Sequence, residues 1–160
     1  MSTFLITAAT GFVATGFMSL SLYLVHWRGI ANADMINAVG SLVTKNEETA
    51  MAPGLLIHFG TGIAFAFVYV ASWSLFIVPS FSSYLTLGLI SGVGHGLVVS
   101  FVLVALVAEH HPLPRFQEAG LGVAVAHLLA HVVYGAVIGI GAGSYGLRFD
   151  FVPVLAEMPQ

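Results

Sequence analysis

The sequence predicts an all-α polytopic membrane protein: four transmembrane helices in an antiparallel bundle, with a short interfacial amphipathic helix in the first loop. Three observations predict it. Of 160 residues, 58% are hydrophobic and 7% charged, against roughly 25% charged in an ordinary soluble domain. Four runs exceed the about 20 residues that cross about 30 Å of hydrocarbon, and none contains Asp, Glu, Lys or Arg. Backbone groups in lipid have no water to bond, so runs of this length must be helical. The whole chain, 1–160, reads as a single transmembrane domain.

The first run is Phe4 to Val25. It lacks the positive n-region and small-residue cleavage pattern of a signal peptide and is too long for an h-region, so it reads as a helix that stays. A long connection, Trp27 to Pro53, follows. Within residues 33–43, Met35, Ile36, Val39, Leu42 and Val43 fall at helical spacing, with Asn32 or Asp34 as the N-cap. This predicts an amphipathic helix lying at the membrane surface, ahead of a re-entrant segment or a plain loop.

The second run is Gly54 to Val78, and Pro79 to Ser83 turns it into the third, Tyr84 to Ala108. Glu109 to Glu118 then leads to the fourth, Ala119 to Gly143, and an apolar tail, 144–160. The tail carries Phe149, Phe151, Val152, Val154 and Leu155, which predicts that it lies on the membrane or on a partner protein. Arg28, Lys45 and Arg115 occupy the face with the first and third loops, while the other face has Arg148, in the tail. The excess of basic residues puts the loop face in the cytoplasm and both termini outside.

Composition excludes several classes. Four Lys and Arg cannot make a basic nucleic-acid face. With no cysteine there is no disulfide, thiolate metal site, iron-sulfur cluster or cysteine nucleophile.

Small residues at every fourth position mark helix contacts, because lipid tails are as apolar as leucine and association depends on close packing. Thr7, Gly11, Thr15 and Ser19 form such a stripe in the first span, Gly88 and Gly92 in the third, and Gly135, Gly139 and Gly143 in the fourth. Packing is the reading preferred over a glycine-lined pore.

The chemistry lies in the histidines, which at seven outnumber the four Lys and Arg. His26, beside Trp27 and Arg28, belongs to an interfacial belt. His110 and His111 close the third span before Pro112, where a cationic imidazole suits a helix C-terminus. With Glu109 they also read as the mouth of a proton or metal path. Four lie within the spans. At 1.5 Å per residue from the loop face, His58 is about 6 Å deep, His127 about 12 Å, His131 about 18 Å and His95 about 20 Å. His95 and His131 are thus level near the midplane on neighbouring antiparallel helices. One stripe of the third span carries Gly88, Gly92, His95, Val99, Val102, Leu106 and Glu109; one of the fourth carries Ala124, His127, His131, Gly135 and Gly139. On the second span, His58, Gly62, Phe65 and Tyr69 share a face, bringing in a tyrosine hydroxyl.

Three readings compete. A hydrogen-bonded network fixes helix register, each neutral imidazole donating to a carbonyl, a hydroxyl or another imidazole. A transition metal is held by His127 and His131, which at i, i+4 can present two nitrogens to one ion, with His95, His58 or Glu109 completing the shell. Haem b is held between two histidines, His58 and His127 being the better spaced pair. His-Glu-x-x-His is absent, and no other catalytic motif stands out.

Several segments resemble small bacterial four-helix membrane proteins of unknown function, related to a YagU-like group. They are Ala14-Thr15-x-x-Met18, Ala52-Pro53-Gly54 leading to His58-Phe59-x-x-Gly62-x-x-Phe65-Ala66-x-x-Tyr69, and His131-x-x-Tyr134-Gly135-x-x-x-Gly139. The resemblance implies a four-helix architecture with a long first loop in a bacterial cytoplasmic membrane, and no activity. The functional expectation is an integral membrane protein without catalysis, a small accessory or structural subunit packed against other membrane subunits or copies of itself. The alternative is a histidine-based metal or haem protein serving redox chemistry or metal or proton transport.

Overall fold

The computed structural model describes residues 2–75 and 80–149, and among these there are helices and no strand. Helix α1 spans Thr3–Trp27, α2 Met35–Thr44, α3 Met51–Ser74, α4 Phe81–His110 and α5 Leu121–Tyr145. Four of them, α1, α3, α4 and α5, are long and apolar enough to cross a membrane.

Local chemistry sets their ends. Ser2 caps α1 by accepting from the Leu5 N–H, and Ser80 caps α4 by accepting from Ser83. Asp34, not Asn32, caps α2 through the Asn37 N–H. Helix α3 begins three residues earlier than Gly54, because Pro53 fits the first turn, where its missing N–H has no intrahelical partner to lose. Ser80 and Phe81 likewise start α4 before Tyr84; residues 76–79, including Pro79 and the end of the expected second span, lie outside the described residues. Helix α5 stops where Gly146 takes the left-handed conformation at φ 58°, with its N–H and that of Leu147 both bonded to the Ala142 carbonyl.

Helix α5 is the hub, packed extensively against α4 and against α1; α1 packs on α3, and α2 packs on α3. The stripe of α4 that meets α5 is Tyr84, Gly88, Gly92, Gly96 and Ser100. A methyl group on Gly92 would lie 2.6 Å from the His131 carbonyl, and one on Gly139 2.6 Å from that of Tyr84, so backbone meets backbone along this seam. Ser100 Oγ donates across it to the Ala124 carbonyl. This corrects the expected stripe through Val99, Val102 and Glu109. Part of the reason is a π-turn at Leu103–Val107, where the Ala108 N–H reaches back five residues to the Leu103 carbonyl. The extra residue rotates the rest of the helix by about 100°, and Glu109 is exposed.

Helix α2 does more than lie at a surface. Gly40 fits against the Ala50 carbonyl and Gly54 against the Ile36 carbonyl, so α2 and α3 pack as a tight hairpin. The first and third loops are tied together over the same end. Arg115 pairs with Asp34 at 2.6 Å and with Glu47, and the Asn32 side chain donates to the Arg115 carbonyl. His111 is 2% exposed, with Nε2 at 3.0 Å from the Ala38 carbonyl and Nδ1 accepting from the Leu113 N–H. It therefore ends the helix at the C-cap, as expected, and does so as a buried peg between α2 and the third loop.

The first residues of the tail fold back on the bundle. Leu147 is buried and its carbonyl accepts from Tyr84, while the Phe149 N–H donates to Ser74 and its ring stacks on Phe67. Phe151, Val152, Val154 and Leu155 lie outside the described residues.

Candidate functional site

Helices α3 and α4 barely touch. The space between them, backed by α1 and α5 and roofed by Met35 and Val39 of α2, is a cleft of about 270 Å³. His58 of α3, His95 of α4 and His131 of α5 all line it, with apolar walls from Met18, Leu22, Ile57, Phe65 and Val99. Tyr69 and Trp73 reach from α3 to Ser91 of α4, Tyr69 through its hydroxyl to the carbonyl at 3.0 Å and Trp73 through its indole N–H to Oγ at 3.2 Å.

His95 and His131 come together as their equal depth requires: their ring centroids are 4.8 Å apart, the planes at 69°. The Phe65 ring lies 4.2 Å from His95, and the Tyr69 hydroxyl stands 3.2 Å from His95 Nδ1.

The hydrogen bonds fix where the imidazole protons sit. A backbone carbonyl can only accept, so the 2.7 Å contact from His131 Nδ1 to the His127 carbonyl puts a proton on that nitrogen. The same holds for His127 Nδ1, 2.8 Å from the Val123 carbonyl. Ser19 donates its hydroxyl proton to the Thr15 carbonyl, so His58 Nε2, 3.1 Å away, donates to the serine oxygen. Tyr69 donates to the Ser91 carbonyl, so His95 Nδ1 donates to the phenol oxygen. Each of these four neutral imidazoles is then left with one bare nitrogen: Nδ1 of His58 and Nε2 of His95, His127 and His131.

The remaining hydroxyls follow the same pattern. Tyr134 donates to the Gly62 carbonyl at 2.6 Å and Thr61 to the Ile57 carbonyl at 2.8 Å. The protons of the polar side chains that line the cleft are thus committed to other acceptors, and each of these side chains keeps a lone pair.

His127 does not share this cleft. It lines a separate cavity of about 40 Å³ with Asn32, His111 and Glu118, and its buried Nε2 has no protein partner. His127 and His131, expected to present two nitrogens to one ion, thus line different cavities, and Glu109 is exposed. Among the described residues no three His, Asp or Glu side chains are grouped to hold one metal ion. Haem fits no better in this arrangement: His58 and His127 line different cavities, and His95 and His131 are too close to admit an iron between their rings.

Several site residues escaped the sequence reading. Ser19 stood only in a packing stripe, and its role is to receive the His58 proton. Tyr134 lies three residues after His131, one helical turn on, which is the signal that would have found it. Thr61, Met18 and Met35 carried no such signal. No protein family, curated protein or solved structure matches this chain.

Proposed function

We propose that this is a membrane-embedded binding protein whose ligand is a lipid-soluble molecule that donates hydrogen bonds, taken up in the cleft between α3 and α4. One observation carries the reading: three imidazoles on three helices line one apolar cleft with their protons turned to other acceptors, leaving lone pairs for a guest. Small-molecule sites have this composition, predominantly apolar walls with a few placed polar atoms. Unpartnered acceptors in lipid are costly, so a donor entering from the bilayer gains more there than it would in water. The resemblance to the YagU-like group adds no activity to this reading.

The test uses the unaltered chain in lipid nanodiscs and fluorine NMR of 4-(trifluoromethyl)phenol against its methyl ether, which differ in the single O–H donor. Saturable binding of the phenol in preference to the ether is the expected result. Equal or unsaturable partitioning of both overturns the reading.

A second reading, the accessory subunit of a larger complex or a homo-oligomer, is favoured by α4. Its outward residues Ile90, Val93, Leu97, Val98 and Phe101 are exposed, and Gly94 among them has nothing within 4 Å of the position a Cβ would take. Isolation from native membranes in mild detergent as a monomer of bare chain mass counts against it. On either reading the basic residues favour a cytoplasmic loop face in a bacterial inner membrane.

A further inference from the structure

We infer that the cleft selects the reduced member of a quinone couple: it binds a lipid quinol and rejects the quinone. The inference rests on the ligand-binding reading above and names the ligand class.

Four features of the cleft choose this class among lipid-soluble donors. First, the acceptors are distributed along it. His58 sits toward the loop end and His95 with His131 near the midplane, so a ligand with donors at two opposite ends of a flat ring satisfies both groups. A lone alcohol or phenol satisfies one. Second, among otherwise aliphatic walls the cleft is lined by Phe65, Tyr134 and the two midplane imidazoles, rings against which a flat guest can stack at offset or edge-on geometry. Third, the lining residues include no carboxylate, so a cationic amine or a hard metal ion has no counter-charge in a low-dielectric setting. Fourth, α3 and α4 make little backbone contact along the cleft, so the gap between them is the route by which a long isoprenoid tail would enter from the hydrocarbon.

Selectivity between redox states then follows from proton placement. A quinol carries two O–H donors and meets bare imidazole nitrogens. A quinone carries two carbonyl acceptors and meets the same lone pairs, because the two hydroxyl residues lining the cleft, Tyr134 and Thr61, have already given their protons to backbone carbonyls. A buried acceptor facing an acceptor forfeits its hydrogen bond and repels, and sites built for hydrogen bonding reject an analogue that cannot make it. Binding alone is inferred: no electron leaves the ligand in this step, so no acceptor is required.

The experiment compares 2-decyl-1,4-hydroquinone with 2-decyl-1,4-benzoquinone, under anaerobic conditions, on the unaltered chain in nanodiscs with ¹⁵N-labelled histidine. The hydroquinone is expected to bind at least tenfold more tightly and to shift the bare nitrogens of His95 and His131. Tenfold tighter binding of the reduced form raises the two-electron potential of the bound couple by about 30 mV. Equal affinity, or tighter binding of the quinone, overturns the inference. So does failure of both to bind while 4-(trifluoromethyl)phenol still outcompetes its ether, a result that leaves the wider reading standing. If the phenol also fails, both fall. The decisive comparison is between two ligands on one protein, so it does not depend on a variant folding. His131→Ala is expected to abolish the preference, and Gly94→Ala, on the outward face, to keep it.

Discussion

The imidazole of His131 stands edge-on to that of His95, ring centroids 4.8 Å apart, and each ring commits its Nδ1 proton to an oxygen outside the pair. The two rings therefore do not bond to each other through those protons. Each keeps a bare Nε2, and the pair is held by its surroundings. Donation to carbonyls and hydroxyls is what a register-fixing network of neutral imidazoles requires, and it ties α3 to α1 through His58 and Ser19 and to α4 through Tyr69 and His95; the bare nitrogens are what that network leaves over.

The first prediction concerns those protons directly. Imidazole ¹⁵N spectra of the protein in lipid should show His127 and His131 protonated at Nδ1 and bare at Nε2 at neutral pH, because the partners of Nδ1 are carbonyls that cannot donate. A His131 signal with its proton on Nε2 would contradict the whole description of the cleft.

Tyr69→Phe removes the oxygen that receives the His95 proton and also the bond to the Ser91 carbonyl. A buried donor left without its partner costs about 1–3 kcal/mol. The variant should unfold at lower denaturant in mixed micelles by that amount, and His95 should lose its single tautomer. Trp73, whose indole still reaches Ser91 Oγ, keeps α3 and α4 joined at this end, so the helices should remain paired. A variant as stable as the parent, with the His95 tautomer unchanged, refutes the assignment.

The seam between α4 and α5 gives a contrast within one helix. Gly92→Ala places a methyl group 2.6 Å from the His131 carbonyl, whereas Gly94→Ala meets nothing within 4 Å. Overpacking a tight contact costs about 1–3 kcal/mol, so Gly92→Ala should destabilise by that much and Gly94→Ala by almost nothing. The first should also displace His131 and weaken phenol binding. Equal effects of the two would mean that the seam is looser than described.

These cases show what the sequence carries and what it withholds. Spans were legible because an uncharged run of this length has one stable form in lipid, and the meeting of His95 with His131 was legible because residue counts along antiparallel helices fix depth. The rotation past Leu103 was not, since no proline or glycine between 103 and 107 marks the π-turn, and with it went the expected place of Glu109. The role of Gly96 was missed for a related reason: the contact follows a strict four-residue spacing through Gly88, Gly92 and Gly96, which diverges from the stripe through His95. Helix α2 was read against water and lipid alone, and nothing local to it announces that Gly40 will meet Ala50 or that Ala38 will accept from a histidine more than 70 residues away. Proton placement in the cleft depends on partners from other helices or other turns, so it required the fold.

Asp34 supplies the last prediction, because it has two duties that salt can separate. Its carboxylate caps α2 through the Asn37 N–H and pairs with Arg115 at 2.6 Å. An N-cap is worth about 1 kcal/mol and depends little on ionic strength, while an exposed or half-exposed ion pair is worth about 0–1 kcal/mol and is screened by salt. Asp34→Asn preserves an oxygen for the cap and loses the charged oxygen that accepts from Arg115 and from the Asn37 side-chain amide. Its difference from the parent, read as hydrogen exchange of the α2 amides, should therefore be small at low salt and smaller at high salt. Asp34→Ala loses both duties, so it should exchange faster than Asp34→Asn at every salt concentration, by an amount that salt does not erase. Should the two variants behave alike, the cap contributes nothing and α2 is held over the cleft by Gly40, Gly54 and His111 alone.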